Sequence, residues 1–138
     1  MDVAYRIIHK AQKYKLPGAN SFLADAPPGQ FRRMLVRVPN KSGVGDPVLV
    51  FVRDSENWSF LATKGIGGYT SGEYIEIVYS EITEIDGFSS DNVPLNKRKL
   101  HSLSVSSGGR TVKFETSPGE DLFALWNLLR QISWPLRK

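Results

Sequence analysis

Few side chains in this 138-residue sequence could carry out chemistry. There is no cysteine, which excludes a thiolate nucleophile, and the two histidines, His9 and His101, are too few for a typical zinc site. His101 is in phase with Leu103 and Val105 in a predicted strand. We therefore interpret it as a strand-end or core residue rather than a general base. No catalytic centre is expected, and the protein is predicted not to be an enzyme.

Two further patterns could hold a small ligand. Glu81, Glu84 and Asp86 are close enough in sequence to bind a divalent cation, but carboxylates beside a strand more often form a solvated face. Residues 65–68 (GIGG) resemble a phosphate-binding loop, yet the Gly-Lys-Ser/Thr that should follow is missing. We expect no metal and no cofactor.

The basic residues are unevenly distributed along the sequence. The net charge is +4, and Lys and Arg are concentrated in residues 1–45 and 92–138, whereas residues 54–91 are acidic. Six basic side chains could follow the phosphates of a nucleic acid, with Tyr69 or Tyr74 stacking on bases. These six are Arg32, Arg33, Arg37, Lys97, Arg98 and Lys99. The same distribution is also typical of a mixed surface on which the acidic middle neutralises the basic ends, and no recognised nucleic-acid module fits the order of elements.

The overall composition is that of one globular domain covering residues 1–138. Apolar residues make up 41% of the sequence and charged residues 23%, and the length is sufficient to bury a core. The longest apolar run, residues 48–52, is too short to cross a bilayer. Residues 3–14 interleave apolar and basic side chains, unlike a signal peptide. A soluble, cytoplasmic protein is expected.

A helix is predicted at the start of the chain, over residues 1–16. Its apolar side chains share one face, Asp2 is a plausible cap, and the opposite face is basic. Such a helix could lie on an anionic membrane, although packing on its own domain is more common.

A second helix is predicted over residues 117–133. Ser117 can cap it and Pro118 suits its first position. Its apolar stripe centres on Trp126, so we expect Trp126→Ala to empty the centre of the core and to cost about 3–5 kcal/mol.

Between the helices, residues 31–116 are predicted to form about seven short strands. Alternating or continuous apolar residues indicate strands at 31–38, 48–53, 58–63, 74–79, 80–88, 102–106 and 111–115. Residues 16–30, 39–47 and 64–72 are rich in glycine or proline and are interpreted as connectors. The clearest hairpin joins the last two strands through Gly108 and Gly109.

Three segments of the chain resemble the bacterial branch of the pleckstrin-homology-like (PH-like) superfold. They are WSFLATKGIGGY (58–69), IEIVYSEITEID (75–86) and RKLHSLSVSSGGRTVKFETSPGEDLFALWNLLRQI (98–132). The resemblance covers about residues 31–132 and leaves the N-terminal helix outside it. It implies a mainly β (α+β) barrel or sandwich of two antiparallel sheets, with the C-terminal helix closing one corner.

The resemblance implies a non-catalytic binding or adaptor module for a protein or peptide. An extended peptide could bind at an exposed strand edge or between that edge and the closing helix, where Phe123 and Trp134 are candidate contacts. The alternative is an electrostatic binder of anionic lipid headgroups or nucleic acid that uses the N-terminal helix and the first strand. Self-association is left open.

An anion site is the second implication of the resemblance. Lipid-binding members hold inositol phosphates on their first two strands, where this chain offers Arg32, Arg33, Arg37, Lys41 and Arg53. The lysine and the basic-x-arginine step of that motif are not matched, because VLVFV precedes Arg53.

Overall fold

The computed structural model describes residues 2–39, 42–86 and 101–136. In these ranges the α-helices are α1 (Val3–Ala11), α2 (Arg32–Leu35) and α3 (Glu120–Ser133). The strands are β1 (Ser21–Leu23), β2 (Pro47–Asp54), β3 (Asn57–Ala62), β4 (Gly65–Thr70), β5 (Glu73–Val78), β6 (Glu84–Asp86), β7 (Ser102–Ser107) and β8 (Arg110–Glu115). Short 3₁₀ turns cover Gln12–Tyr14, Gly29–Phe31, Tyr79–Glu81 and Trp134–Leu136.

The strands form two antiparallel sheets, which confirms the predicted α+β class. The larger sheet has the order β1-β2-β3-β4-β5 and the smaller one β6-β7-β8. Within the described residues there are eight strands where about seven were expected. No helix in those ranges is long and apolar enough to cross a membrane.

Both faces of β2, the longest strand of the larger sheet, are buried, because its side chains alternate between two apolar clusters. Leu49 and Phe51 of β2 contact the cluster that includes the smaller sheet, α1 and α3, which we call the inner core. Val50 and Val52 face the opposite way, into an outer core. Successive side chains of a strand point to opposite faces, so a continuous apolar run is what a doubly covered strand requires.

The segment that covers the outer core was wrongly predicted as a strand. Residues 31–38 form a 3₁₀ turn followed by α2 and a turn, not an alternating strand. Phe31, Met34, Leu35 and Val38 all pack in the outer core. Their spacing is i, i+3, i+4 and i+7, which is one face of a helix and which coexists with the period-two pattern that suggested a strand.

Two predicted connectors also contain strands. β1 lies within residues 16–30 and pairs with β2, and β4 lies within the supposed connector 64–72. The glycines of β4 are needed because neighbouring strands approach closely: a Cβ at Gly67 would meet the ring of Phe60, and a Cβ at Gly68 would meet the backbone of β3. In β4, therefore, glycine allows the Phe60 ring and the backbone of β3 to approach closely.

The N-terminal helix follows its prediction. The Asp2 carboxylate accepts hydrogen bonds from the backbone N–H groups of Ala4 at 3.0 Å and Tyr5 at 3.4 Å, and thus caps α1. Ile7 and Ala11 are buried in the inner core, where α1 packs against α3. The apolar face of α1 is thus buried within the domain.

The C-terminal helix closes the inner core, but its start and its centre differ from the prediction. α3 begins at Glu120 after Gly119, whose φ of 87° favours glycine. The Ser117 hydroxyl does not cap α3 and instead donates to the Val52 carbonyl at 2.7 Å. Trp126 is only partly buried, at the edge of the core. The fully buried apolar positions of α3 are Leu122, Leu125, Leu128, Leu129 and Ile132.

Of the strand predicted over 80–88, Glu84–Asp86 are confirmed, a 3₁₀ turn at Tyr79–Glu81 precedes them, and residues 87 and 88 lie outside the described residues. Lys41 and the basic cluster Lys97-Arg98-Lys99 lie outside the described residues.

Candidate functional site

A groove lies between β6, α3 and α1, and we call it the β6–α3 groove. Its volume is about 500 Å³. The described residues that line it are Lys10, Ile85, Trp126, Asn127, Arg130, Gln131, Trp134 and Pro135. It therefore combines a short strand with two helices that lie far apart in sequence.

The strand that lines the groove, β6, is an edge strand of the smaller sheet. Within the described residues β6 pairs on one side only, with β7, in the register Ile85↔Val105. An edge strand presents backbone N–H and C=O groups that no neighbouring strand satisfies. Ile85 is half-buried towards the groove, whereas Glu84 and Asp86 are exposed, as expected for residues on the opposite face of the strand.

The α3 wall is aromatic and cationic. The Arg130 guanidinium carbon lies 4.8 Å from the centroid of the Trp126 ring, a cation–π geometry. Trp134, in the 3₁₀ turn that ends α3, is 73% exposed. Phe123 is 41% exposed but does not line the groove; its ring meets that of Tyr14 edge to face. Of the two predicted contacts, the structure brings only Trp134 to this groove.

The α1 wall is fixed to α3 by two hydrogen bonds. The backbone carbonyl of Gln131 accepts from the Arg6 guanidinium at 3.1 Å, and the side-chain amide of Gln131 donates to the Tyr14 hydroxyl at 3.2 Å. These bonds hold the helix that carries Lys10 beside the helix that carries Arg130. The groove is thus built on packed elements rather than on a loop.

Three of the predicted anion-binding residues meet at a second concavity, of about 470 Å³. Arg33, Arg37 and Arg53 line it together with Asp54. Arg32 is exposed on α2 and is not among the lining residues.

Carboxylates already neutralise two of these three arginines. Arg37 lies 3.2 Å from Glu56, donates to the Ser55 carbonyl at 2.6 Å and covers the ring of Tyr69 at 4.3 Å. Arg53 lies 3.0 Å from the carboxylate of Glu115. With Asp54 in the same lining, the concavity has a mixed charge.

His101 forms a hydrogen bond to the same Glu115 carboxylate. Its Nδ1 lies 2.7 Å from the Glu115 carboxylate oxygen that also contacts Arg53. The side chain of Glu115 is only 8% exposed, and its contact with Arg53 links β2 to the last residue of β8. This agrees with the interpretation of His101 as a satisfied residue next to a strand. In the three described ranges no group of three or more His, Asp and Glu side chains could hold a metal ion.

The Asp54 carboxylate, at the β2–β3 turn, should make the stability of the fold depend on pH. The Asp54 carboxylate accepts from the Glu56 backbone N–H and the Asn57 amide, both at 2.9 Å. Slight burial opposes ionisation, but these hydrogen bonds and the charge of Arg53 outweigh it and hold the pKa of Asp54 below its ordinary value of 3.8. Ionised Asp54 therefore stabilises the fold above pH 3.8, and this contribution is lost as the pH falls through the lower folded-state pKa.

We expect Asp54→Asn to lower the free energy of unfolding at pH 7 by about 0.5 kcal/mol, a small effect because the side chain is mostly exposed. Thermal melts of the two proteins should converge in acid, once the pH lies below the lowered folded-state pKa of Asp54 and the side chain is neutral in both states. A difference that persists in acid would indicate an effect of shape rather than charge.

Lys10, Asn127 and Arg130 were not predicted as site residues. The sequence indicates Trp134 as a candidate contact, but it gives no pattern that unites α1, β6 and α3. No family model, curated protein or solved structure matches this chain.

Proposed function

We propose that the protein is a non-catalytic, cytoplasmic adaptor of the PH-like type that binds an extended peptide in the β6–α3 groove. The observation that carries the proposal is the edge strand β6 beside the exposed indole of Trp134. The cysteine-free composition agrees with a reducing compartment.

The order of elements supports the PH-like assignment. Strands β2 to β5 are consecutive neighbours in one sheet, β6 to β8 are consecutive neighbours in the other, and α3 follows them into the inner core. Two antiparallel sheets followed by a C-terminal helix are what the sequence resemblance implies, and this agreement supports the proposal. The additional elements are α1, β1 and α2, which precede this unit.

Addition of a strand is the binding mechanism that this groove favours. A peptide aligned with β6 would form main-chain hydrogen bonds with its outer edge, and alternate side chains would enter the groove. There they would meet Ile85 from the strand and Trp126 and Trp134 from the helix side. Exposed aromatic side chains next to apolar ones are frequent hot spots of binding energy.

Binding to an anionic surface remains the rival proposal, since Arg33, Arg37 and Arg53 line one concavity. Two observations favour the peptide groove over it. The ion pairs with Glu56 and Glu115 reduce the positive charge of that concavity. In addition, α1 packs in the inner core and α2 against the outer core, so they do not form one continuous basic surface.

A salt titration separates the two proposals. Binding to lipid vesicles or nucleic acid through several arginines should weaken steeply as the ionic strength rises. Peptide binding through main-chain hydrogen bonds and apolar contacts should change much less. Loss of all binding in moderate salt would favour the rival.

Trp134→Ala tests the groove directly. We expect peptides selected on the full chain to bind this variant about ten-fold more weakly or worse, because an exposed aromatic contact is lost. The matched control is Val36→Ala, at a position that is 81% exposed and lies in the turn after α2. Affinity can be measured by fluorescence anisotropy of a labelled peptide.

The three tryptophans provide a second measurement. Peptide binding should shift the indole NMR signals of Trp126 and Trp134, while that of Trp58, which is fully buried in the outer core, stays in place. Equal loss of affinity in both variants, or a shift confined to Trp58, would contradict the proposed site.

A further inference from the structure

We infer that the β6–α3 groove selects a peptide with carboxylate side chains at the positions that face the two helices, and that α1 supplies half of this selectivity. The inference rests on the proposed function and adds the chemical class of the ligand. It also gives a role to the helix that lies outside the PH-like unit.

The charged side chains among the described lining residues of the groove are all positive. Among the described residues that line it, Lys10 and Arg130 are the charged ones, and both are cationic. The remaining lining side chains are aromatic, apolar or amide-bearing. Lys10 comes from α1 and Arg130 from α3, so the two helices contribute one positive charge each.

These two cations differ from the arginines of the second concavity. Among the described residues, the basic side chains in contact with a carboxylate are Arg37, Arg53 and His101, and neither Lys10 nor Arg130 is one of them. The guanidinium of Arg130 lies over the Trp126 ring, an arrangement that restrains a long side chain while its N–H edges can still donate to a carboxylate. The groove thus carries positive charge that no carboxylate in the described part of the chain neutralises.

The strand itself restricts where the ligand can be acidic. Glu84 and Asp86 are exposed on the face of β6 opposite to Ile85. A peptide residue directly across from either carboxylate would lie on that same face, where a second negative charge is destabilising. We therefore expect acidic or apolar residues at alternate positions, towards the helices, and neutral or basic residues at the positions between them.

Selection from a displayed library of random peptides of about ten residues tests this inference. The full chain and the double variant Lys10→Glu/Arg130→Glu are screened in parallel, with Lys13→Glu as the matched control. Lys13 is exposed and follows α1 but does not line the groove. Thermal melts of each protein establish that the variants are folded.

The parent and Lys13→Glu should enrich peptides with Asp or Glu at alternate positions. The double variant should bind these peptides about ten-fold more weakly, at roughly three-fold for each exposed charge pair lost, and should enrich basic peptides instead. Enrichment of the same peptides by all three proteins, with Trp134→Ala still weakening them, would overturn the inference while the proposed function stood. If no protein enriches any peptide, the proposed function fails, and the inference fails with it.

Discussion

Trp58→Ala is expected to lower the free energy of unfolding by about 3–5 kcal/mol, the usual cost of emptying the space of a large buried aromatic side chain. Trp58 is fully buried in the outer core. Its ring stacks on Tyr69 at 5.3 Å between centroids and contacts Phe60 at 6.0 Å. The substitution would therefore remove the central ring of a row of three aromatic side chains, Phe60, Trp58 and Tyr69. Urea denaturation followed by circular dichroism measures the effect.

Trp126→Ala is the matched control, and its expected cost replaces the estimate from the sequence. Because Trp126 is only partly buried at the groove, we expect a loss of about 1–2 kcal/mol. An equal loss for the two variants would contradict the different burial of the two side chains. A smaller loss for Trp58→Ala than for Trp126→Ala would contradict the existence of a second core.

Gly68→Ala is expected to cost about 3 kcal/mol, at the upper end of the range for overpacked positions. A Cβ at Gly68 would meet the carbonyl oxygen of Trp58 and would lie 2.8 Å from the Cα of Ser59. Both are backbone atoms of the paired strand β3, so they cannot move aside without separating β3 from β4. The loss should therefore appear as weaker protection of β4 amides in hydrogen exchange as well as in the unfolding midpoint.

Gly109→Ala provides the control in the β7–β8 turn. A Cβ at Gly109 would have no neighbour within 4 Å, so we expect a change of less than about 0.5 kcal/mol. A similar loss at both glycines would indicate a general effect of backbone flexibility rather than a clash.

The elements predicted correctly are those whose pattern is local. The alternation in β7 and β8 and the glycines between them suffice for a hairpin, and the continuous apolar run of β2 indicates a doubly covered strand. The Asp2 cap and the one-sided apolar face define α1 in the same way. In each case the residues that decide the structure are neighbours in sequence.

The wrong predictions fall where tertiary contacts decide. Residues 31–38 carry both a two-residue and a helical period, and only the aromatic surface of the outer core selects the helix. The glycines of β4 suggest flexibility, but they are required by Phe60 and by the backbone of β3. Neither constraint is visible until the partner strand is known.

Only part of the groove was predicted, because the rest of its lining also depends on tertiary contacts. Trp134 could be identified because it lies beyond the apolar stripe of the last helix. Lys10 could not, because its place depends on the packing of α1 against α3. That contact joins residues 125 and 117 positions apart, Arg6 with Gln131 and Tyr14 with Gln131.

The same contact has a consequence for how the protein acquires its structure. During synthesis α1 emerges long before α3, and until then Ile7 and Ala11 lack the helix against which they are buried. Such distant contacts slow folding, because a long stretch of chain must be closed before they form. A nascent chain would thus expose the apolar side chains of this segment to solvent until α3 docks.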